Sequence, residues 1–476
     1  MEDELSRFFK FKWSKNKVDA TLLVVIILCA IAGIGYLFHK IAEGPHPFWD
    51  SVWDVYVNLF ASLCAFVAAF LIIHFISWVY RKHEDEIKVS YKNSKMLSIY
   101  KNNYEEDKKH EYRKEFPLHP KAKDGQKQEP QCIVYCNKLF LAKDCKVLKI
   151  EDLPNEHFEV DSFIQMHAPR LLGAHSASKT VNEITPRLND CVLPTKENND
   201  TATLQITRST YLNHLLTNRV LDYPIATDVT LRRLYEEMGN LTELKRSKMS
   251  NHIGINALVF LTGEGKKYLI IPKRGKKATV VKNGVTASIA SRLTIKDYNK
   301  AIEDKSLQSF IEGECIKKCA AEKLLLETRK DTQELEAKAD SVVTEVEKMQ
   351  VHFLGLARDP YEGGKPTLFY YVEWPISRKT FGELAKGDYK AEDIDEIVKL
   401  MIEDWDNIQL KVPKRKKCED KRATEEDRKK ADEAEAKRYD KARLVINGKP
   451  FIFEQNLMAN FWFYLKHKGE IEDEKA

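Results

Sequence analysis

Hydrophobic positions along this chain fall into three patterns. From Ala20 to Phe38 (ATLLVVIILCAIAGIGYLF) and from about Val55 to Val79 (VYVNLFASLCAFVAAFLIIHFISWV) they are nearly continuous, and neither segment contains Asp, Glu, Lys or Arg. A helix needs about 20 apolar residues to cross the hydrocarbon core, so residues 1–83 are predicted to form a transmembrane hairpin. A secretory signal is the alternative for the first segment, but the acidic start MEDEL and the immediate second span argue against cleavage. In the second span Asn58, Ala61, Ser62, Ala65 and Ala69 share one helical face. Small residues four apart let helices approach closely, so this face is expected to pack another helix.

From Glu84 to about residue 129 the chain is rich in Lys, Glu and Tyr with little apolar periodicity, which predicts a juxtamembrane stalk. Beyond Pro130 the pattern changes again. QCIVYCNKLFLA, CKVLKIEDL and HFEVDSFIQM alternate apolar and polar residues, or form short apolar runs, as strands do. Between Ile206 and Leu244 two helical faces appear, Tyr211, Leu212, Leu215 and Leu216 in one and Leu231, Leu234, Tyr235 and Met238 in the next. INALVFLT and KKYLIIPKR then flank a Gly263-Glu264-Gly265 turn, the clearest hairpin in the chain. Glu312 to Arg329 is helical by composition, and VHFLGLARDPYEGGKPTLFYYVEWPI supplies two further strands. Residues 130–410 are expected to form one folded domain with its core at about 206–375. A solvated charged helix over 411–443 and a hairpin in the 444–476 tail, turning at Asn447-Gly448, complete the organisation.

Charge orients the hairpin. Arg7, Lys10, Lys12, Lys15 and Lys17 precede the first span, and Arg81, Lys82, Lys88 and Lys92 follow the second, whereas the connecting loop carries one Lys. Both termini are therefore expected in the cytoplasm. Over the whole chain 77 basic against 72 acidic residues leave a net charge of +5, too balanced to imply nucleic-acid binding. Nine cysteines occur without a zinc-site arrangement: Cys132 with Cys136 and Cys315 with Cys319 find no completing ligands, so free thiols are expected and no metal or other cofactor is assigned. The chain has no G-x-S-x-G, H-E-x-x-H or P-loop, and no catalytic residue is assigned.

The stretch from about Ile206 to Pro375 resembles a Nudix domain. The resemblance rests on INALVFLTGEGKKYLIIPKR, the Gly-containing loop NGVTAS, the acidic helix EGECIKKCAAEKLLLE, and FLGLARD before GGKPTLFYYV. The Nudix box needs closely spaced carboxylates to clamp divalent metal for pyrophosphate hydrolysis. Here, with Ala321 and Glu322 on the box's Arg-Glu pair, its Glu-Glu pair falls on Leu325 and Leu326, and no Glu follows Gly284 at the required distance. The resemblance therefore implies a degenerate, non-catalytic binding domain. The fold class it implies is α+β: a transmembrane hairpin followed by a cytoplasmic Nudix-like mixed sandwich with an extra β-rich N-terminal part.

Two spans joined to such a domain resemble the transmembrane Nudix effectors of CBASS, the bacterial antiphage systems built around a cyclic nucleotide synthase. Membership would imply an inner-membrane protein that binds a cyclic di- or trinucleotide, forms a homo-oligomer and disrupts the lipid bilayer. An anionic ligand suits Lys273, Arg274, Lys276 and Lys277 after a strand, with Asn283, Thr286 and Ser288 adding donors in the next loop. Arg208, Tyr211, Asn218 and Arg219 place cations and a stacking ring on the preceding helix, and Arg358, near Gly363 and Gly364, closes the opposite rim. A membrane-tethered hydrolase of a nucleoside diphosphate derivative, or a membrane scaffold, are the alternatives.

Overall fold

The computed structural model describes residues 92–100, 112–119, 132–173, 182–225, 229–236, 240–275, 281, 283–303, 314–324, 333–385, 389–391, 396–413, 433–434 and 436–471. All lie in one compact unit, Glu86–Ala476. In chain order the elements are α1 (Asn93–Ile99), β1 (Arg113–Phe116), β2 (Cys132–Tyr135), β3 (Asn137–Leu141), β4 (Val147–His157), α2 (Ser162–Gly173), β5 (Ile184–Val192), β6 (Thr201–Thr210), α3 (Tyr211–Leu216) and α4 (Leu231–Tyr235). They continue with β7 (Gly254–Leu261), β8 (Tyr268–Lys273), β9 (Ile289–Arg292), α5 (Ile295–Glu303), α6 (Ile316–Lys323), α7 (Gln333–Glu347), β10 (Gln350–Asp359), β11 (Lys365–Trp374) and α8 (Arg378–Leu384). The last are β12 (Tyr389–Ala391), β13 (Glu396–Asp404), β14 (Gln409–Lys411), β15 (Arg443–Ile446), β16 (Lys449–Phe451) and α9 (Gln455–His467).

The main sheet runs β12-β13-β8-β7-β11-β10-β3, with β9 also paired to β7. It is mixed: β7 and β11 are parallel, while the β10–β11, β7–β8 and β8–β13 pairs are antiparallel. All eight residues of β7 are buried, as a near-continuous apolar run requires when both faces of a sheet are covered. Its side chains alternate between two cores. Ile255, Ala257, Val259 and Leu261 face Tyr298 of α5, Ile316 and Ala320 of α6 and Val342 of α7, whereas Leu258 and Phe260 face Leu457, Phe461 and Tyr464 of α9. The β7–β8 turn passes so close to Ile376 that a Cβ on Gly263 would meet its carbonyl carbon at 2.5 Å, while Gly265 holds a φ of 73°.

A second, three-stranded sheet runs β4-β6-β5, parallel between β4 and β6 and antiparallel between β6 and β5. Leu188, Ala202, Leu204 and Ile206 turn one of its faces into the first core. Period 2 then places Thr185, Arg187, Thr207 and Ser209 together on the other face, where all four are buried.

The expected fold is corrected in two parts. Among the described residues no helix is long and apolar enough to cross a membrane. The longest, α7, has 15 residues, or about 22 Å at 1.5 Å per residue against a hydrocarbon core of about 30 Å. The fold is α+β with mixed sheets, and a multi-pass inner-membrane location has no support. The hairpin expected over 1–83, with Asn58, Ala61, Ser62, Ala65 and Ala69, lies outside the described residues. The expected stalk also differs: α1 and β1 fall within it, and Met96, Phe116 and Leu118 are buried in the fold. Short segments with few apolar residues do not show periodicity, yet can be packed by partners distant in sequence.

Candidate functional site

The loop expected to hold phosphates is instead strapped to the C-terminal elements. Glu454, just before α9, accepts from Arg274 Nη2 at 2.8 Å and from Thr286 Oγ1. Backbone bonds reinforce the strap, from Val285 N to Ile452 O and from Glu454 N to Val285 O, at 2.8 and 2.9 Å. Lys273 lies over the Phe451 ring. Ser288 is buried and spans two strands, donating to Ile270 O and accepting from Val259 N. Asn283 is exposed with a φ of 57° at the loop tip. Lys276 and Lys277 lie outside the described residues.

The second expected group is likewise engaged in structure. Arg208 forks onto Asp152 at 2.7 and 3.0 Å, and Tyr298 OH donates to the same carboxylate, riveting the small sheet to α5. Arg292 stacks on Tyr211. Asn218 is buried and donates to Glu362 O, and Arg219 pairs with the Glu362 carboxylate at 2.9 Å. Arg358 is buried between the carbonyls of Gly364 and Thr242. A Cβ on Gly364 would collide with its guanidinium, so the glycine there accommodates Arg358 and opens no ligand approach. These residues do not converge on one pocket. In the acidic helix EGECIKKCAAEKLLLE, Glu314 pairs with Lys300, and among the described residues no group of three His, Cys, Asp or Glu could hold a metal.

A different site does converge. The polar face of the small sheet forms the floor of an open cleft of about 810 Å³, within the range of small-molecule sites. Its walls come from the end of β4 (Glu156, His157, Phe158, Glu159), from β5 (Arg187, Asn189), from β6 (Thr207), from α4 and its exit (Arg233, Leu234, Tyr235, Glu236) and from the 242–248 loop (Lys245, Arg246, Lys248). Thr230 caps α4 by accepting from Arg233 N, which fixes where Tyr235 and Glu236 leave the helix.

Arg187 is the distinctive residue of this cleft. Its side chain is held by Asn189 Oδ1, by Ser247 O at 3.1 Å and by the Phe158 ring, 4.8 Å from the guanidinium carbon. None of these carries a negative charge, and among the described residues Arg187 pairs with no carboxylate. Only 4 % of it is exposed, and burial pulls its guanidinium down to about 10. Its Nε and the neighbouring Thr207 Oγ1 are buried without hydrogen-bond partners. Antiparallel register sets the three side chains of one row on a common face: Thr207 opposite Arg187, and Arg187 opposite His252 on its other side. His252 also has an unpartnered Nδ1, as does His214, whose ring centre lies 3.8 Å from it at a tilt of 56°. Burial, reinforced by nearby cations, holds both imidazoles well below their usual range and therefore neutral. A buried cation without a counterion, beside unsatisfied donors and acceptors, is a costly arrangement that an anionic ligand relieves.

No protein-family model matches the chain, and no curated protein is significantly similar to it. The cleft was missed in the sequence because its lining is drawn from five separated segments. A signal was present: Thr185 and Arg187 alternate with Pro186 and Leu188, and Thr207 and Ser209 continue the polar phase of a strand whose other phase is Ala202, Leu204 and Ile206. Two strands each with one apolar and one polar buried face mark a sheet with a lined pocket.

Proposed function

We propose that the chain binds a phosphate-bearing nucleotide in this cleft and acts as a sensor of that ligand, without hydrolysing it. The observation that carries the reading is Arg187: a buried guanidinium with no carboxylate partner among the described residues, flanked by unsatisfied Thr207 and bordered by exposed Lys245 and Lys248. Arg is suited to this task because its planar fork matches phosphate oxygens and stays charged. Phe158 and Tyr235 supply aromatic surface beside it. The Nudix resemblance of residues 206–375 favours a nucleotide among phosphate ligands. No membrane step belongs to this proposal.

The test is calorimetric titration of the full chain with cyclic di- and trinucleotides, linear nucleotides and pyrophosphate, with products followed by chromatography in the presence of Mg²⁺. Binding lost in Arg187→Ala and without turnover supports the sensor. Metal-dependent turnover would replace it with a hydrolase, and absence of binding to every phosphate compound would refute it.

A further inference from the structure

Away from the cleft, one edge of the small sheet is open. Among the described residues β4 pairs only with β6, so alternate N–H and C=O groups along its far side meet no other strand. Residues 147–152 hold regular register against β6, and the ladder is interrupted only beyond Asp152. Val147, Lys149 and Glu151 are exposed on the outer face, Val147 at 45 %. Leu148 and Ile150 are half-buried against the first core. Such an edge is a template for another strand, and natural sheets commonly blunt it with a lysine. Lys149 stands in that position, but Glu151 follows two residues later on the same face. One oxygen of Glu151 accepts from Gln205 at 2.8 Å, which leaves the other to meet a cation from outside.

We propose that the chain forms a two-fold dimer by pairing β4 with β4 of a second copy, antiparallel, with the axis at Ile150. Lys149 then stands opposite Glu151 of the second copy, and Glu151 opposite its Lys149. Val147 meets Leu153 at both ends of the row, so the outer face matches cation to anion and apolar to apolar throughout. On the inner face Ile150 meets Ile150, and Leu148 meets Asp152, whose charge Arg208 already holds at 2.7 Å. Neighbouring registers match less well. A slip one way sets Lys149 against Lys149 and Val147 against Glu151, and a slip the other way sets Glu151 against Glu151. Pro154 and the break in the β4–β6 ladder end the row. The pairing joins two three-stranded sheets and uses the β4 edge of both copies, so this contact closes as a dimer and does not propagate. It is independent of the anion-binding reading.

The experiment is sedimentation equilibrium of the full chain as wild type, Lys149→Glu, Glu151→Lys and the variant carrying both changes, each first shown to be folded by its thermal unfolding. The wild type is expected to form a dimer. Each single reversal sets like charges opposite one another on both sides of the axis and should raise the dimer dissociation constant about tenfold or more. The double variant restores opposite charges and should return it to within about threefold of wild type. A second readout needs no variant. Equal amounts of unlabelled and isotope-labelled wild-type chain, mixed and treated with carbodiimide, should yield a mixed-isotope peptide joining Lys149 to Glu151. A monomeric wild type, a dimer indifferent to the single reversals, or a loss that the double variant does not rescue overturns the proposal. So does a Lys149–Glu151 link found only within chains of one isotope.

Discussion

Two polar regions of this molecule look alike in composition and differ in what their polar groups have left to do. The loop around Lys273 to Ser288 is rich in Lys, Arg, Thr and Ser, yet among its described residues Lys273, Arg274, Thr286 and Ser288 are engaged by Phe451, Glu454 and the backbone. The face of the small sheet carries one arginine among threonines, and there Arg187 Nε, Thr207 Oγ1 and Thr185 Oγ1 are buried without partners. Density of cations therefore points to the first region, and unsatisfied bonding capacity points to the second. The second is the stronger indicator of a ligand, because each buried group left without a partner costs the fold about 1–3 kcal/mol, which a bound ligand can offset.

The most direct way to break the comparison is a pair of truncations. Arg187→Ala should cost about 2–5 kcal/mol of binding, roughly 30-fold or more in affinity for pyrophosphate or a cyclic dinucleotide. Arg274→Ala should leave that affinity within about twofold. Equal losses in calorimetry would show that the two regions share one site.

Next in size is the stability of the strap. Glu454→Ala removes the acceptor of both Arg274 and Thr286, so unfolding by denaturant should show a loss of about 1–3 kcal/mol. Ligand affinity of the folded variant should not change. A large loss of binding without a loss of stability would make the loop functional after all.

A third effect sharpens the comparison through pH. His214 and His252 stay neutral in the fold because their folded affinities for protons are depressed, whereas the unfolded chain takes up protons near pH 6.5. Their contribution to stability is thus fully present above about pH 6.5 and declines as pH falls below it, by at most about 1.4 kcal/mol per pH unit for each histidine. Asp359 acts oppositely, since burial and the neighbouring Glu362 raise it to about 7, so its contribution declines as pH rises toward that value. Replacing both histidines with Phe isolates the imidazole part: the stability difference between pH 7.5 and 5.5 should shift in favour of the acid side. An unchanged profile would place the titrating groups elsewhere.

The smallest expected effect lies at the cleft rim. Lys245→Ala and Lys248→Ala should each weaken anion binding by about two- to threefold at low ionic strength. Raising salt above about 0.5 M should erase the difference, because exposed charges are screened while Arg187 is not. A salt-independent loss would mean that these lysines contact the ligand as buried groups.

The sequence was legible where one element declares itself by local chemistry. The Gly263-Glu264-Gly265 turn stands between two apolar runs, and β7 and β8 meet there; Asn447 and Gly448, with φ of 49° and 72°, turn β15 into β16. It was illegible where a role depends on pairing across distance. Nothing near Arg208 in the chain announces Asp152, nor does anything near Arg274 announce Glu454, and both arginines read as free cations until those partners are placed. Arg187 shows the reverse: it sits beside Asn189 and Asp190, and its burial follows from the register of β5 against β6 and the 242–248 loop above it. The helical periodicity of Ile206 to Leu244 was overridden at its start, where Ile206 to Thr210 finish β6 before Thr210 caps α3.

The central claim is that Arg187, not the Lys273–Ser288 loop, holds the anion. Its most direct test is one titration series of pyrophosphate into the full-length wild type, Arg187→Ala and Arg274→Ala, each first shown to be folded by its thermal unfolding. The account predicts measurable binding to wild type and Arg274→Ala and none to Arg187→Ala. Binding retained by Arg187→Ala and lost from Arg274→Ala would contradict it and return the site to the loop.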